Sequence, residues 1–216
     1  MPDTKVSATT NAAALAGSEE WHGVQSGGDV AISADQMKAY AGLSNLRSLW
    51  IPASGIRPSA TGGCAALALT AQTANRPDLS YLAFDATTAE YAQFWVAFPK
   101  SWDEGTVTAR FYWTHPSTTT NFGVRWGLQG VAVSNDDTLD VAYGTAAEVT
   151  DTGGTTSDLY VSDATGAITI AGTPAVDDMC AFRVYRDPAN GGDTMAVDAY
   201  LKGVRVFYTT NTLDET

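Results

Sequence analysis

The chain has 216 residues, 44% of them hydrophobic and 17% charged, which is enough apolar material for a sizeable core under a thin coat of charge. Its 24 acidic and 12 basic residues give a formal charge of −12, a field that repels phosphates and argues against binding DNA or RNA. No Lys/Arg run offsets that field, and no apolar run reaches the length of a membrane span.

The acid is lopsided, with 18 Asp and 6 Glu. Asp favours turns, where its carboxylate accepts from nearby amides, so the acidity reads first as turn chemistry. The N-terminus, Met1-Pro2-Asp3-Thr4-Lys5, has neither the basic nor the apolar region of a signal peptide, so a soluble product of the cytoplasm is expected.

Residues 1–48 differ in pattern from the rest of the chain. Trp21 to Gln25 alternates as a short strand, Ser26-Gly27-Gly28-Asp29 signals a turn, and Val30-Ala31-Ile32 resumes as a second strand. Ser33 is a good N-cap with Gln36 completing a capping box, and Gly42 supplies the stop, predicting a short helix over 34–41. A hairpin and one helix cannot bury a core of their own, so this module needs a partner.

From Leu49 the pattern is β. Leu49 to Pro52, Cys64 to Leu69 and Tyr81 to Asp85 read as strands. So does Ala92 to Phe98, where Phe94, Val96 and Phe98 alternate with Gln93, Trp95 and Ala97. Trp102 to Gly105 reads as a turn. Thr106 to Trp113 places Val107, Ala109, Phe111 and Trp113 on one face, as in a half-buried antiparallel strand. Phe122 to Ser134 comes next, with Gly127 and Gly130 able to admit a bulge. The Asp-, Thr- and Gly-rich stretch 135–163 predicts a helical turn near Leu139–Tyr143 and a mobile loop around Asp151–Ser157. Ala167 to Ile170, Met179 to Arg186 and Thr194 to Tyr208 complete the set, with 187–193 as a hairpin loop between the last two. Eight or nine strands at this spacing predict a mainly β chain: an antiparallel, jelly-roll-like β-sandwich over 49–216, preceded by the hairpin-plus-helix module.

Catalytic signals are sparse. His22 and His115 stand alone in different modules, and no nucleophile elbow or zinc motif is present. Paired carboxylates, Asp103-Glu104 and Asp136-Asp137, fall in turn-like sequence where a solvated loop accounts for them. The acids around Asn135–Asp140 and at Asp177-Asp178 lack the spacing of a calcium loop. No metal or other cofactor is expected. Cys64 and Cys180 read as two buried free thiols in preference to a disulfide. Trp95 and Tyr112 point away from the more apolar faces of their strands, which suits either glycan stacking or a subunit contact.

Two sets of residues carry a resemblance. The first runs through Leu15-Ala16-Gly17-Ser18-Glu19-Glu20, Val24-Gln25-Ser26-Gly27-Gly28, Val30-Ala31-Ile32-Ser33 and Gln36-Met37. The second comprises Trp50-Ile51-Pro52-Ala53, Pro99 to Gly105, Trp126 to Ala132 and Gly203 to Tyr208. The first set resembles a docking segment of tailed-bacteriophage fibre and appendage proteins. The second resembles β-sandwich proteins of alphaproteobacterial phages and prophages. The first segment departs from that pattern at Trp21-His22-Gly23, where a Pro-Val is usual. The resemblance implies a non-enzymatic virion protein: a capsid decoration, cement or head-fibre protein, trimeric, seated on the major capsid protein or another virion protein. Leu15, Glu19, Trp21, Val24, Gln25, Ile32 and Met37 would then form the docking surface. The alternative is a tail-fibre or receptor-binding protein whose sandwich binds host glycans. No shaft-like repeat lies between the two modules, which favours the compact decoration reading.

Overall fold

The computed structural model describes residues 20–25, 28–33, 45–116 and 122–211. The chain divides into two compact units, Met1–Asn45 and Leu46–Thr216. In the first, β1 (Glu20–Gln25) and β2 (Gly28–Ser33) pair antiparallel, with Trp21 opposite Ile32, Val24 opposite Asp29 and Gln25 opposite Gly28. Leu15, Glu19 and Met37, like the predicted helix over 34–41, lie outside the described residues.

The second unit is an antiparallel β-sandwich. Its first strand, β3 (Leu46–Pro52), starts three residues earlier than the sequence pattern suggests and leads into one 3-10 turn at Ala53–Gly55. Then come β4 (Arg57–Pro58), β5 (Ala68–Thr70), β6 (Leu79–Phe84), β7 (Glu90–Ala97), β8 (Thr108–Thr114) and β9 (Phe122–Val133). The chain closes with β10 (Ala147–Gly153), β11 (Tyr160–Val161), β12 (Met179–Arg186) and β13 (Ala199–Thr209). One sheet has the order β10-β9-β12-β7-β4. The other runs β11-β8-β13-β6-β5, with β3 sharing β13 beside β6. No helix among the described residues is long and apolar enough to cross a membrane.

Period-two alternation builds the core. Ala92, Phe94 and Val96 of β7 and Ala109, Phe111 and Trp113 of β8 turn inward from opposite sheets, meeting Val124, Trp126 and Leu128 of β9 and Phe182 of β12. Trp126 packs edge-on against Phe84 at 5.2 Å and stacks on Phe111 at 5.7 Å between ring centroids, so aromatic contacts tie the layers together.

Several local expectations change. Residues 187–193 are not a hairpin loop, because β12 and β13 belong to different sheets and the segment crosses between them. Arg186 holds that crossing. Its fully buried guanidinium forks onto Asp193 at 2.7 and 2.8 Å and also donates to the carbonyls of Phe84, Met195 and Val197. The helical turn expected near Leu139–Tyr143 is absent. The supposed mobile loop begins as β10, a strand on the sheet edge opposite β9. Its Asp and Thr mask it in sequence because only one side is packed. The predicted strand over 167–170 does not form: Ile168 makes an isolated bridge to Val107, and the following Ala171 one to Val131 of β9. Of the predicted 64–69 strand only Ala68 and Leu69 join a ladder, as part of β5, and the last strand starts at Ala199, not Thr194. Trp102 occupies a turn yet is buried, stacked on Phe98 at 4.3 Å.

Candidate functional site

The outer face of the five-stranded sheet carries the most developed arrangement of side chains. Residues that alternate with the core project from it: Tyr91, Gln93, Trp95 and Ala97 from β7, and Met179, Ala181, Arg183 and Tyr185 from β12. The register sets Gln93 opposite Arg183, Trp95 opposite Ala181 and Ala97 opposite Met179. Ala181 is buried although it lies on this outer face. Trp95 is 45% exposed although both of its strand neighbours, Phe94 and Val96, are buried.

Beside it lies an open groove of about 610 Å³, lined by Gly55, Arg57, Pro58, Ser59, Gln93, Trp95 and Met179 among others. Pro58 closes the short edge strand β4, since proline has no N–H to offer a further strand. Gln93 Nε2 donates to Ser59 Oγ at 3.0 Å, which orients the amide along the groove wall. An aromatic plane, a guanidinium, a hydroxyl and an amide thus share one trough.

The rest of the face is closed by its own contacts. The Arg183 guanidinium sits between the rings of Tyr91 and Tyr143, 4.6 and 4.9 Å from their centroids. With its amide oxygen turned toward that guanidinium, Gln129 accepts from Arg183 Nε at 3.1 Å and Nη2 at 2.7 Å. Tyr185 Oη donates to Glu148 at 2.5 Å, and Glu148 also pairs with Arg125 at 3.1 Å. Burial first, and then the bond to the Glu148 carboxylate, push the Tyr185 hydroxyl well above its usual range. The Tyr185 ring lies over Gly127, where an added Cβ would fall 2.4 Å from it. From β4 to β10 this face spans about 19 Å, at about 4.8 Å per strand, and Trp95 marks its open end.

The two aromatic residues singled out from the sequence are not brought together. Trp95 faces out from the five-stranded sheet, while Tyr112 faces out from the six-stranded one, edge-on to Trp50 at 4.8 Å. Of the paired acids, Asp103 and Asp137 serve turns, accepting from Gly105 N–H and Ser134 N–H, while Glu104 accepts from Val176 N–H on a distant segment. Asp85, Asp178 and Asp187 likewise accept amides of their own loops. His115 is buried against Phe122, with ring centroids 4.7 Å apart. Among the described residues no group of three His, Cys, Asp or Glu side chains converges as metal ligands would. Cys64 and Cys180 are free and buried. Cys64 N–H donates to Tyr91 O, whereas Cys180 lies opposite Val96. The five-residue offset is about 17 Å along β7, too far for a disulfide.

Sequence reasoning did not single out Arg57, Ser59, Gln93 or Met179. A usable signal was present for Gln93, which shares a strand face with Trp95 two residues away. Arg57 and Ser59 lie in a stretch without strand alternation, and only the pairing of β4 with β7 brings them to the groove.

No family model matches the chain, and no curated protein matches it. Among solved structures, the CBM22-2 xylan-binding domain of Paenibacillus barcinonensis Xyn10C superposes with a TM-score of 0.43 at 16% identity, covering 74% of this chain and 99% of that one. The CBM36-1 domain of a multidomain xylanase from the hindgut metagenome of Trinervitermes trinervoides gives 0.39 at 9%, covering 74% and 96%. CBM35 from Cellvibrio japonicus Abf62 gives 0.38 at 12%, covering 76% and 99%. The ligands in those names belong to those proteins; the sandwich architecture here rests on the strand pairing above.

Proposed function

We propose that this chain is a non-enzymatic recognition protein whose sandwich binds a host-surface glycan in the groove beside Trp95, as a receptor-binding part of a phage particle. The observation that carries the reading is the half-exposed indole in an open trough beside Arg57, Ser59 and Gln93. A sugar ring offers a C–H face to an aromatic plane and hydroxyls to polar neighbours, and a shallow trough of this kind meets both demands. Glu148 stands on β10 at the far edge of this face, held by Tyr185 and Arg125.

Successive strands β6 to β9 alternate between sheets, as do β11 to β13, which supports a jelly-roll winding. The hairpin and predicted helix of the first unit would attach the sandwich to the virion, a role that rests on the sequence resemblance alone. The test is a glycan array probed with the full chain and with Trp95→Ala. Binding by the native chain that Trp95→Ala abolishes, with a cooperative melting transition retained, is the expected result; equal binding by both would refute the groove.

The half-exposed Met179 next to Trp95 favours a second reading, in which this patch is a contact between copies of a trimeric capsid decoration protein. In that case Trp95→Ala would lower the mass seen by light scattering and leave the glycan array blank for both proteins.

A further inference from the structure

The six-stranded sheet has a different chemistry, independent of the Trp95 groove. Its strands β3, β5, β6, β8, β11 and β13 contain Arg47, Arg110, Lys202 and Arg205 but no Asp or Glu, in a chain with twice as many acids as bases. No stretch of sequence shows this cluster, because pairing assembles it from separate strands.

The register sets Arg205 of β13 directly opposite Arg110 of β8 on one side and Trp50 of β3 on the other. Like charges facing each other across strands repel and destabilise a sheet. Among the described residues no carboxylate pairs with Arg110, Lys202 or Arg205. Arg205 is exposed, between the buried Val204 and Val206. Lys202 stands at the bulge between Leu201 and Gly203.

Aromatic rings share the face. Trp50, 45% exposed, lies over Gly203, where an added Cβ would fall 2.5 Å from its ring. Its ring meets Tyr112 edge-on, Arg205 approaches the Tyr112 ring at 6.0 Å, and Tyr81 stacks on Tyr200 at 4.0 Å.

We infer that this face, centred on Arg110, Arg205, Trp50 and Tyr112, is a binding site for an acidic polysaccharide. An anionic group between the two guanidiniums would turn their mutual repulsion into a pair of charge-assisted hydrogen bonds. The neighbouring sugar rings would pack on Trp50 and Tyr112. Few cations spaced among aromatic rings match a polymer of sparse charge. Nucleic acid, with a charge every ~1.7 Å of duplex, would set unmatched phosphates against an otherwise acidic surface.

The test is affinity electrophoresis of the full chain in gels containing sodium polygalacturonate, sparsely sulfated κ-carrageenan or neutral dextran, with oligo-dT binding measured alongside. Retardation by one or both anionic polymers and not by dextran is expected, and the two polymers separate carboxylate from sulfate-ester recognition. R110Q/R205Q should weaken it about tenfold or more and Trp50→Ala should weaken it too, while Trp95→Ala leaves it intact. R110Q/R205Q should melt no lower than the native chain because it removes a like-charge pair. If that double variant fails to fold, the exposed single variant R205Q takes its place. Retardation by neither polymer, or undiminished retardation of the arginine variants, would overturn the site. So would oligo-dT binding of equal strength, or low-salt self-association that R110Q/R205Q abolishes, which would assign the face to nucleic acid or to a second copy. Loss of glycan-array binding in Trp95→Ala speaks only to the groove, so either site can fail alone.

Discussion

Replacing Arg186 with Met tests whether one buried ion pair locks the crossing between the two sheets. Arg186 projects inward from β12, and both it and Asp193 are almost completely shielded from solvent. Met fills a similar volume but leaves the Asp193 carboxylate with only the Arg125 N–H at 3.0 Å, and it removes the donor from the carbonyls of Phe84, Met195 and Val197. Stranding one partner of a buried pair costs about 3–5 kcal/mol. The abandoned carbonyls contribute in the same direction without adding in full, so a loss of about 4 kcal/mol is expected. Urea unfolding followed by tryptophan fluorescence reads the change directly. R186M/D193N should recover about 1–2 kcal/mol of it, because the amide keeps an acceptor for Arg125 N–H and no buried charge is left unpaired. A loss below about 1 kcal/mol for Arg186→Met, or a double variant as unstable as the two single losses summed, would refute the lock.

Cys64 and Cys180 should resist a thiol reagent at pH 8 in the folded protein and react together on denaturation. Burial, reinforced by Glu90 and Asp178 respectively, pushes each thiol up to about 12. Above the unfolded value near 9 the unfolded chain releases these protons more readily. Stability should therefore be full below pH 9 and fall toward pH 12, by up to about 1.4 kcal/mol per pH unit per thiol. C64A/C180A should flatten that fall in urea titrations at pH 8 to 10. Gly127→Ala should cost about 1–3 kcal/mol, because its Cβ must displace the Tyr185 ring, whereas Tyr185→Phe, measured by the same unfolding curves, should cost about 1 kcal/mol. Trp95→Ala should cost about 2 kcal/mol, since about half of its indole is buried.

Legibility in the sequence followed burial. The alternations in β7 and β8 identified Phe94, Val96, Ala109, Phe111 and Trp113 as core because each strand packs one face only, and the same alternation turned Trp95 outward. It failed where packing is partial or borrowed. The edge strand β10 hides behind Thr150, Asp151 and Thr152, and the Ile168 segment packs its side chains without forming a ladder. Trp102 is buried from within a turn that reads as polar.

The sequence by itself determined a mainly β, antiparallel sandwich and the role of several aspartates as turn acceptors, since each follows from local pattern and residue type. Which strands share a sheet was decided only in three dimensions. That choice separates Trp95 from Tyr112, sends 187–193 across the sandwich on the Arg186–Asp193 pair, and seats Arg57 and Ser59 beside Trp95. It also gathers Arg110, Lys202 and Arg205 onto one face of an acidic protein that has no basic run. The physical reason is that strand pairing joins residues nearly a hundred positions apart, as with Arg110 and Arg205. Periodicity reports which way a side chain points but not what it will face.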